Sequence, residues 1–120
     1  MKENAIRDNS FAFALRVVKL AKYLEADKKE FVLSRQVLRS GTAIGALVRE
    51  AEHAESKADI IHKMNIALKE SNETIYWLDL LYQGDYLDKQ SYQSIALDSE
   101  ELIKLLIAIV KTSKVARRSE

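Results

Sequence analysis

Apolar residues recur along this chain every three or four positions, which is the period of an amphipathic helix rather than of a strand. Four such stretches are predicted, at about residues 10–25, 32–53, 56–83 and 88–114. The segments between them are short and rich in charged or capping residues. The pattern therefore predicts an all-α fold, an antiparallel up-and-down four-helix bundle with residues 1–120 as one domain.

The first helix is expected to begin after an N-cap at Asn9 or Ser10, with residues 1–8 frayed and, as the alternative, Ile6 packed back onto the bundle. Two apolar stripes run along it. The buried face is assigned to Phe11, Leu15, Val18 and Tyr23, widened by Phe13, Val17, Leu20 and Leu24. The opposite face carries Arg16, Lys19 and Lys22, which are predicted to lie in solvent.

The second helix has an unusually small buried face, with Val37, Gly41, Ile44, Val48 and Ala51 at helical spacing. Glycines at 41 and 45 cost helix propensity, and close approach of a neighbouring helix would explain them. A kink or break at Gly41 is the alternative. A phosphate-binding loop is not supported, because no Gly-Lys-Ser/Thr follows and no strand precedes.

The third and fourth helices have clearer ends. Ser56 with Asp59 resembles a capping box, Gly84 is a favoured stop, and the fourth helix is expected to start near Asp88. Tyr76 and Trp77 suit a core or subunit contact, with base stacking as the alternative. The LIKLLIAIV run of the fourth helix is apolar nearly all round, which favours a subunit interface.

Composition narrows the class of protein. The 120 residues include no proline and no cysteine, and the net charge is +1. Cysteine-free composition and the absence of a signal-like or membrane-spanning stretch favour a cytoplasmic, soluble protein. Near-neutral charge means that any nucleic-acid binding must depend on a local basic surface.

The second helix carries such a surface, because Arg35, Arg39 and Arg49 fall on one side of it. Arginine forks suit phosphates and interface carboxylates. The alternative is a solvated face whose arginines pair with Glu50, Glu52 or carboxylates of the third helix. Other candidate nucleic-acid contacts are Lys57, Lys63 and the basic tail, namely Lys114, Arg117 and Arg118.

No enzyme is predicted. Glu50-x-x-His53 and Asp59-x-x-His62 resemble half-sites of a di-metal bundle, but both flank one turn at the end of the bundle. His62 is expected beside the core. There is no nucleophile motif, and neither a metal nor another cofactor is expected. A di-metal enzyme is kept as the remote alternative.

The chain resembles a bacterial family of four-helix bundles that are encoded in intervening sequences of 23S ribosomal RNA genes. The resemblance is carried by RQVLRSGTAIGA from residue 35, AESKADIIHKMNIALKES from residue 54, and YWLDLL from residue 76. It implies an antiparallel four-helix bundle assembled as a homo-oligomer, with rings of five known in the family, and it does not imply catalysis. A related branch, the accessory variability determinants of diversity-generating retroelements, binds nucleic acid through a basic surface. Leu47 departs from the family, which commonly has asparagine there.

The leading hypothesis is a non-enzymatic oligomeric bundle that binds RNA or a ribonucleoprotein through these cations. The rival hypothesis is a self-assembling or protein-binding module that does not touch nucleic acid. No small-molecule substrate is predicted.

Overall fold

The computed structural model describes residues 2–118, with side chains from residue 5 onward. Four helices follow one another, α1 (Lys2–Asp27), α2 (Leu33–Ala51), α3 (Lys57–Gln83) and α4 (Lys89–Arg118). Each packs against its neighbours in sequence, and α4 returns to lie against α1. The result is an antiparallel four-helix bundle with extents of 52 × 22 × 21 Å.

Short polar turns separate the helices, and capping side chains fix their starts. Glu30 accepts the backbone N–H of Ser34 at 2.9 Å, ahead of α2. Ser56 accepts the N–H of Asp59 at 3.1 Å, which confirms the cap predicted for α3. Asp88 accepts the N–H of Ser91 at 2.7 Å, and this bond is the main reason why the pKa of Asp88 is lowered. These caps satisfy helix N–H groups that have no partner within the helix.

Helix α1 differs most from the prediction. It begins at Lys2, so Asn9 and Ser10 are not caps. Ser10 is buried, and its hydroxyl donates to the Arg7 carbonyl at 3.1 Å. The early turns are anchored because Ile6 belongs to the core. The sequence allowed Ile6 to pack back onto the bundle, but one apolar residue among polar ones has no helical period from which a helix start at Lys2 could be predicted.

The buried face of α1 was predicted correctly only in part. Phe13, Val17 and Leu24 are buried, whereas Phe11 and Leu15 are 50% and 48% exposed. The core stripe is completed by the small residues Ser10 and Ala21, which allow α1 to lie close to its neighbours.

Helix α2 is continuous through Gly41, so the kink does not occur. The predicted small face is confirmed as the buried one. A Cβ built on Gly41 would lie 2.8 Å from both methyl carbons of Val17, and one on Gly45 would lie 3.4 Å from the Ser10 carbonyl oxygen. Gly41 therefore permits the close approach of α1, whereas Gly45 leaves room for an ordinary contact. Leu47 is partly buried and packs against the core.

The core combines aliphatic side chains with small hydroxyl residues. The buried residues of α3 are Ile61, Met64, Ala67, Ser71, Thr74, Leu78 and Leu81. The Thr74 hydroxyl is 2.9 Å from that of Ser40, joining α3 to α2.

Helix α4 continues to Arg118 instead of ending at the predicted residue 114. Its buried residues are Ile95, Ser99, Leu102, Leu106 and Val110. None of the helices in the described range has the length and apolarity to cross a membrane.

Candidate functional site

The three arginines of α2 lie on its exposed side, away from the buried face formed by Gly41 and Ile44. Arg35 and Arg49 are fourteen positions apart, which corresponds to about 21 Å along the helix axis. The three guanidinium groups have different surroundings, and these decide what each can bind.

Arg39 is held by two carboxylates of α3. It donates to Glu70 at 3.2 Å and also to Glu73. The Glu73 carboxylate accepts a second bond, from the indole Nε1 of Trp77, at 3.0 Å. The bonds to Glu70 and Glu73 raise the pKa of Arg39, and the bond from Trp77 followed by that from Arg39 lowers the pKa of Glu73. Arg39 thus fits the alternative interpretation, in which carboxylates of the third helix neutralise it.

Arg49 and Arg35 are not engaged in this way. The Arg49 guanidinium lies 5.3 Å from the centre of the Phe11 ring, a cation–π contact that bridges α2 and α1. Arg35 has no ion pair with the part of the chain that the structure describes. It is therefore the arginine of α2 with the most freedom to meet a partner.

The lysines predicted as contacts also separate into two groups. Lys63 pairs with Glu50 at 3.2 Å across the α2–α3 interface. Lys57 is the first residue of α3, and because α4 is antiparallel to α3, the last turns of α4 lie at the same end of the bundle. Lys114, Arg117 and Arg118 are exposed there, with no ion pair to a residue of the described range. We call Lys57, Lys114, Arg117 and Arg118 the basic end.

The eight predicted contacts therefore do not form one continuous surface within residues 2–118. Instead, the structure brings Arg39 close to the aromatic pair Tyr76 and Trp77, although no pattern in the sequence indicates that these residues are neighbours. Glu73 links Arg39 to Trp77, and the ring of Tyr76 packs edge-on against Trp77 at 5.0 Å between centroids. The spacing of Glu73 and Trp77, one helical turn apart, was the available sequence signal.

Cavities lie along the seam between α1 and α4. Arg16, predicted to be solvated, crosses this seam and donates to Asp98 at 2.6 Å and to the Ser94 hydroxyl at 3.0 Å. Beside it is a groove of about 460 Å³, lined by Arg16, Lys19, Leu20, Tyr23, Leu87, Asp88, Ser91 and Ile95. Another cavity, of about 490 Å³, lies away from this seam, near the basic end, and is lined by residues of all four helices, among them Ile6, Val48, Met64 and Ile109.

Few groups are arranged for catalysis. Among the described residues, no three His, Asp or Glu side chains come close enough to hold a metal ion. His53 and His62 are both exposed, so His62 does not lie beside the core as predicted.

A tyrosine contact joins α4 to α3. Tyr92 donates a hydrogen bond to Asp79, and its ring stacks on that of Tyr82 at 4.5 Å between centroids. The bond to Asp79, followed by burial, raises the pKa of Tyr92 to about 12.

Known proteins place the chain in a family. A crystal structure from Bacteroides thetaiotaomicron, of a protein of unknown function from the S23 ribosomal protein family, is 57% identical to the chain. The alignment covers 92% of this chain and 99% of that one, with a TM-score of 0.91. No curated protein is significantly similar. The profile of the 23S rRNA-intervening sequence proteins matches residues 2–108. With its four-helix bundle and its match over most of the length, the chain belongs to the 23S rRNA-intervening sequence protein family.

Proposed function

We propose that this protein is a non-enzymatic bundle that binds structured RNA through its basic end. The observation that carries the proposal is the convergence of Lys57, Lys114, Arg117 and Arg118 at one end of the molecule. Phosphate contacts by such side chains give affinity without requiring a base-reading groove. The family description, which refers to a 23S rRNA-intervening sequence, makes ribosomal RNA the first ligand to test.

The arginine face of α2 contributes less to this proposal than its sequence suggested. Arg39 and Lys63 already face carboxylates, so phosphate binding would have to compete with Glu70, Glu73 and Glu50. Lys114, Arg117 and Arg118 have no carboxylate partner within residues 2–118, and such cations lose less when they bind an anion.

The test is a salt-titrated binding assay with fragments of large-subunit ribosomal RNA and with random duplex RNA. Replacing Lys114, Arg117 and Arg118 together by alanine should weaken binding at least tenfold at low salt. It should also flatten the dependence of log affinity on log salt, because each phosphate contact contributes about 0.7 to 0.9 to that slope.

A matched control removes the same charge elsewhere, by replacing the exposed Lys19, Lys22 and Lys69 with alanine. This variant should bind nearly as well as the wild type. Equal losses of RNA affinity in both variants would show that net charge, and not the basic end, determines binding. No binding by the wild type at low salt would end the RNA proposal.

Self-assembly is a second candidate, since several large apolar side chains remain exposed on the outside of the bundle. The resemblance to the family makes a homo-oligomer, and a ring of five in particular, the expected assembly. Sedimentation analysis of the full chain over a range of concentrations tests it, and a monomer at every concentration would exclude it.

A further inference from the structure

The second half of α4 carries more positive charge than the basic end includes. Between Glu101 and Glu120 the sequence has five lysines and arginines and no acidic residue. Three of the five belong to the basic end, and the other two are Lys104 and Lys111. Both of these lysines are exposed and have no ion pair with a residue of the described chain. Positive charge therefore continues from the end of the bundle along the side of α4.

Four of the five cations share one side of the helix. Lys104, Lys111 and Arg118 recur every seven residues, which is nearly two helical turns. Lys114 lies between the last two, at the three- and four-residue spacings that place side chains on one face. Lys104 and Arg118 are fourteen positions apart, which corresponds to about 21 Å along the helix axis. We call these four residues the α4 stripe, and the opposite side of α4 is buried.

The charge of the α4 stripe indicates what it can bind. Two copies of the stripe would bring like charges together, so it does not suit contact with itself. A membrane-surface helix buries a wide apolar face in lipid, but the apolar face of α4, with Leu106 at its centre, is directed into the bundle. The exposed large apolar side chains in the second half of α4 are Ile107 and Val115. A phosphate backbone, in contrast, is bound through positive charge alone.

The residue types of α4 favour a paired strand over an unpaired one. Unpaired bases are bound by stacking on aromatic side chains, and α4 has no aromatic residue after Tyr92. The side-chain amides that read adenine edges are likewise absent from the sequence after Gln93. In an A-form stem the deep major groove is closed to side chains, so phosphates are the groups within reach of a lysine. Pairing also holds the phosphates in regular rows, which a straight helix can follow.

We propose that the α4 stripe binds the phosphate backbone of a base-paired RNA stem, whatever its sequence. This contact rests on the RNA binding proposed for the basic end, and it adds the kind of RNA and the path of the stem across the protein. The basic end holds the stem at the end of the bundle, and Lys104 and Lys111 hold it along the side of α4. Glu100 and Glu101, one turn before Lys104, repel phosphates and mark the limit of the contact.

The kind of RNA is tested with the wild-type protein at low salt. The ligands are two blunt stems of about 16 base pairs with unrelated sequences, and one unpaired strand of the same number of nucleotides. The two stems should bind with equal affinity and at least tenfold more tightly than the unpaired strand. An unpaired strand that binds as tightly would leave the basic end standing and reject the paired stem. A tenfold difference between the stems would reject binding to the backbone alone.

The path along α4 is tested by replacing Lys104 and Lys111 together with alanine. The matched control replaces Lys19 and Lys22, two exposed lysines of α1. Alanine suits an exposed helix position, so both variants should keep the native helicity, which circular dichroism checks. Loss of the α4 lysines should weaken stem binding about tenfold at low salt and reduce the salt slope by about 0.9 for each lysine, whereas the control should change neither.

A substitution of opposite sign lengthens the α4 stripe. Glu100→Lys replaces a repelling carboxylate, four positions from Lys104, by a further cation on the same side, and should tighten stem binding at least threefold. Its matched control is Asp27→Lys, which makes the same change of charge on the exposed last residue of α1, at the opposite end of the bundle. Equal gains in both variants would make net charge the cause and reject the stripe.

Further outcomes separate the α4 stripe from the basic end. Stem binding that falls when the cations of the basic end are removed, but not when Lys104 and Lys111 are, would confine the contact to the basic end and reject the stripe. No binding of any of the three RNAs would reject both proposals. The wild type should also stay in the supernatant when it is sedimented with vesicles of phosphatidylglycerol and phosphatidylcholine in equal parts. Binding to these vesicles and not to the stems, lost in the Lys104→Ala, Lys111→Ala variant, would make the stripe a membrane contact instead.

Discussion

Helix α1 meets its two neighbours in opposite ways. Against α2 it packs through glycines, with Gly41 beneath Val17 and Gly45 beside the backbone of Ser10. Against α4 it is joined by Arg16, which bonds to Ser94 and Asp98 across a seam containing a groove of about 460 Å³. Small residues thus let two helices touch along their backbones, whereas long polar side chains bridge helices that remain apart.

The largest expected effect comes from filling the α1–α2 contact. Gly41→Val should lower the free energy of unfolding by about 3 kcal/mol, since the buried Val17 methyls leave no space for new atoms. Urea denaturation followed by circular dichroism measures the loss. An unchanged midpoint would show that α1 can move away from α2 at little cost.

Smaller substitutions at the same contact test whether crowding by Val17 causes the loss. Gly45→Ala introduces a Cβ at an ordinary contact distance of 3.4 Å, and should be neutral or stabilise by up to about 1 kcal/mol through helix propensity. Gly41→Ala should cost less stability when Val17 is also replaced by alanine, because the methyl carbons that the new Cβ would meet are then absent. Additive effects in that double variant would argue against direct contact as the cause.

A smaller effect concerns the other side of α4, where Tyr92 and Asp79 attach it to α3. The pKa of Tyr92 is raised from 10.0 to about 12, so the folded state holds this proton more tightly than the unfolded chain. Its contribution to stability is complete below pH 10 and decreases as the pH rises to about 12. Absorbance of tyrosinate at 295 nm should show one tyrosine ionising last, and Tyr92→Phe should remove that step. If Tyr92→Phe removes an earlier ionisation step instead, another tyrosine has the highest pKa, and the bond to Asp79 is not the cause.

The smallest effect is expected at the seam itself. The Arg16–Asp98 pair is exposed by 39% and 45%, so solvent screening limits its contribution to below about 1 kcal/mol. Arg16→Ala should therefore hardly change the urea midpoint, while amide exchange near Ser94 should accelerate as the seam loosens. A loss comparable to that of Gly41→Val would make the polar seam as important as the packed one.

These two seams also show what could be predicted from the sequence. The face of α2 was predicted correctly because Gly41, Ile44 and Val48 lie on a single apolar stripe. Helix α1 has two stripes with the same period, and choosing between Phe11 and Phe13 requires knowing that small residues accompany the second. The partners of Arg16 are about eighty positions away, at separations of 78 and 82, beyond the reach of any local pattern.

The candidate site was predicted in parts. Pairing of the α2 arginines with carboxylates of the third helix was one of the alternatives weighed, and Arg39 follows it. The link from Arg39 through Glu73 to Trp77 was missed, because it depends on how α2 and α3 align. The location of the cations at the basic end likewise follows from the antiparallel topology and the full length of α4.

The Arg16 seam has a consequence for how the chain reaches its native state. The α1–α2, α2–α3 and α3–α4 contacts join helices connected by short turns, whereas the bonds of Arg16 close a loop of roughly eighty residues. Contacts between distant segments carry the greatest loop-closure cost and tend to form late in folding. We expect α1, α2 and α3 to supply the folding nucleus and the α1–α4 seam to close after the rate-limiting step. The small loss of stability expected for Arg16→Ala, below about 1 kcal/mol, should then appear as slightly faster unfolding with a nearly unchanged refolding rate.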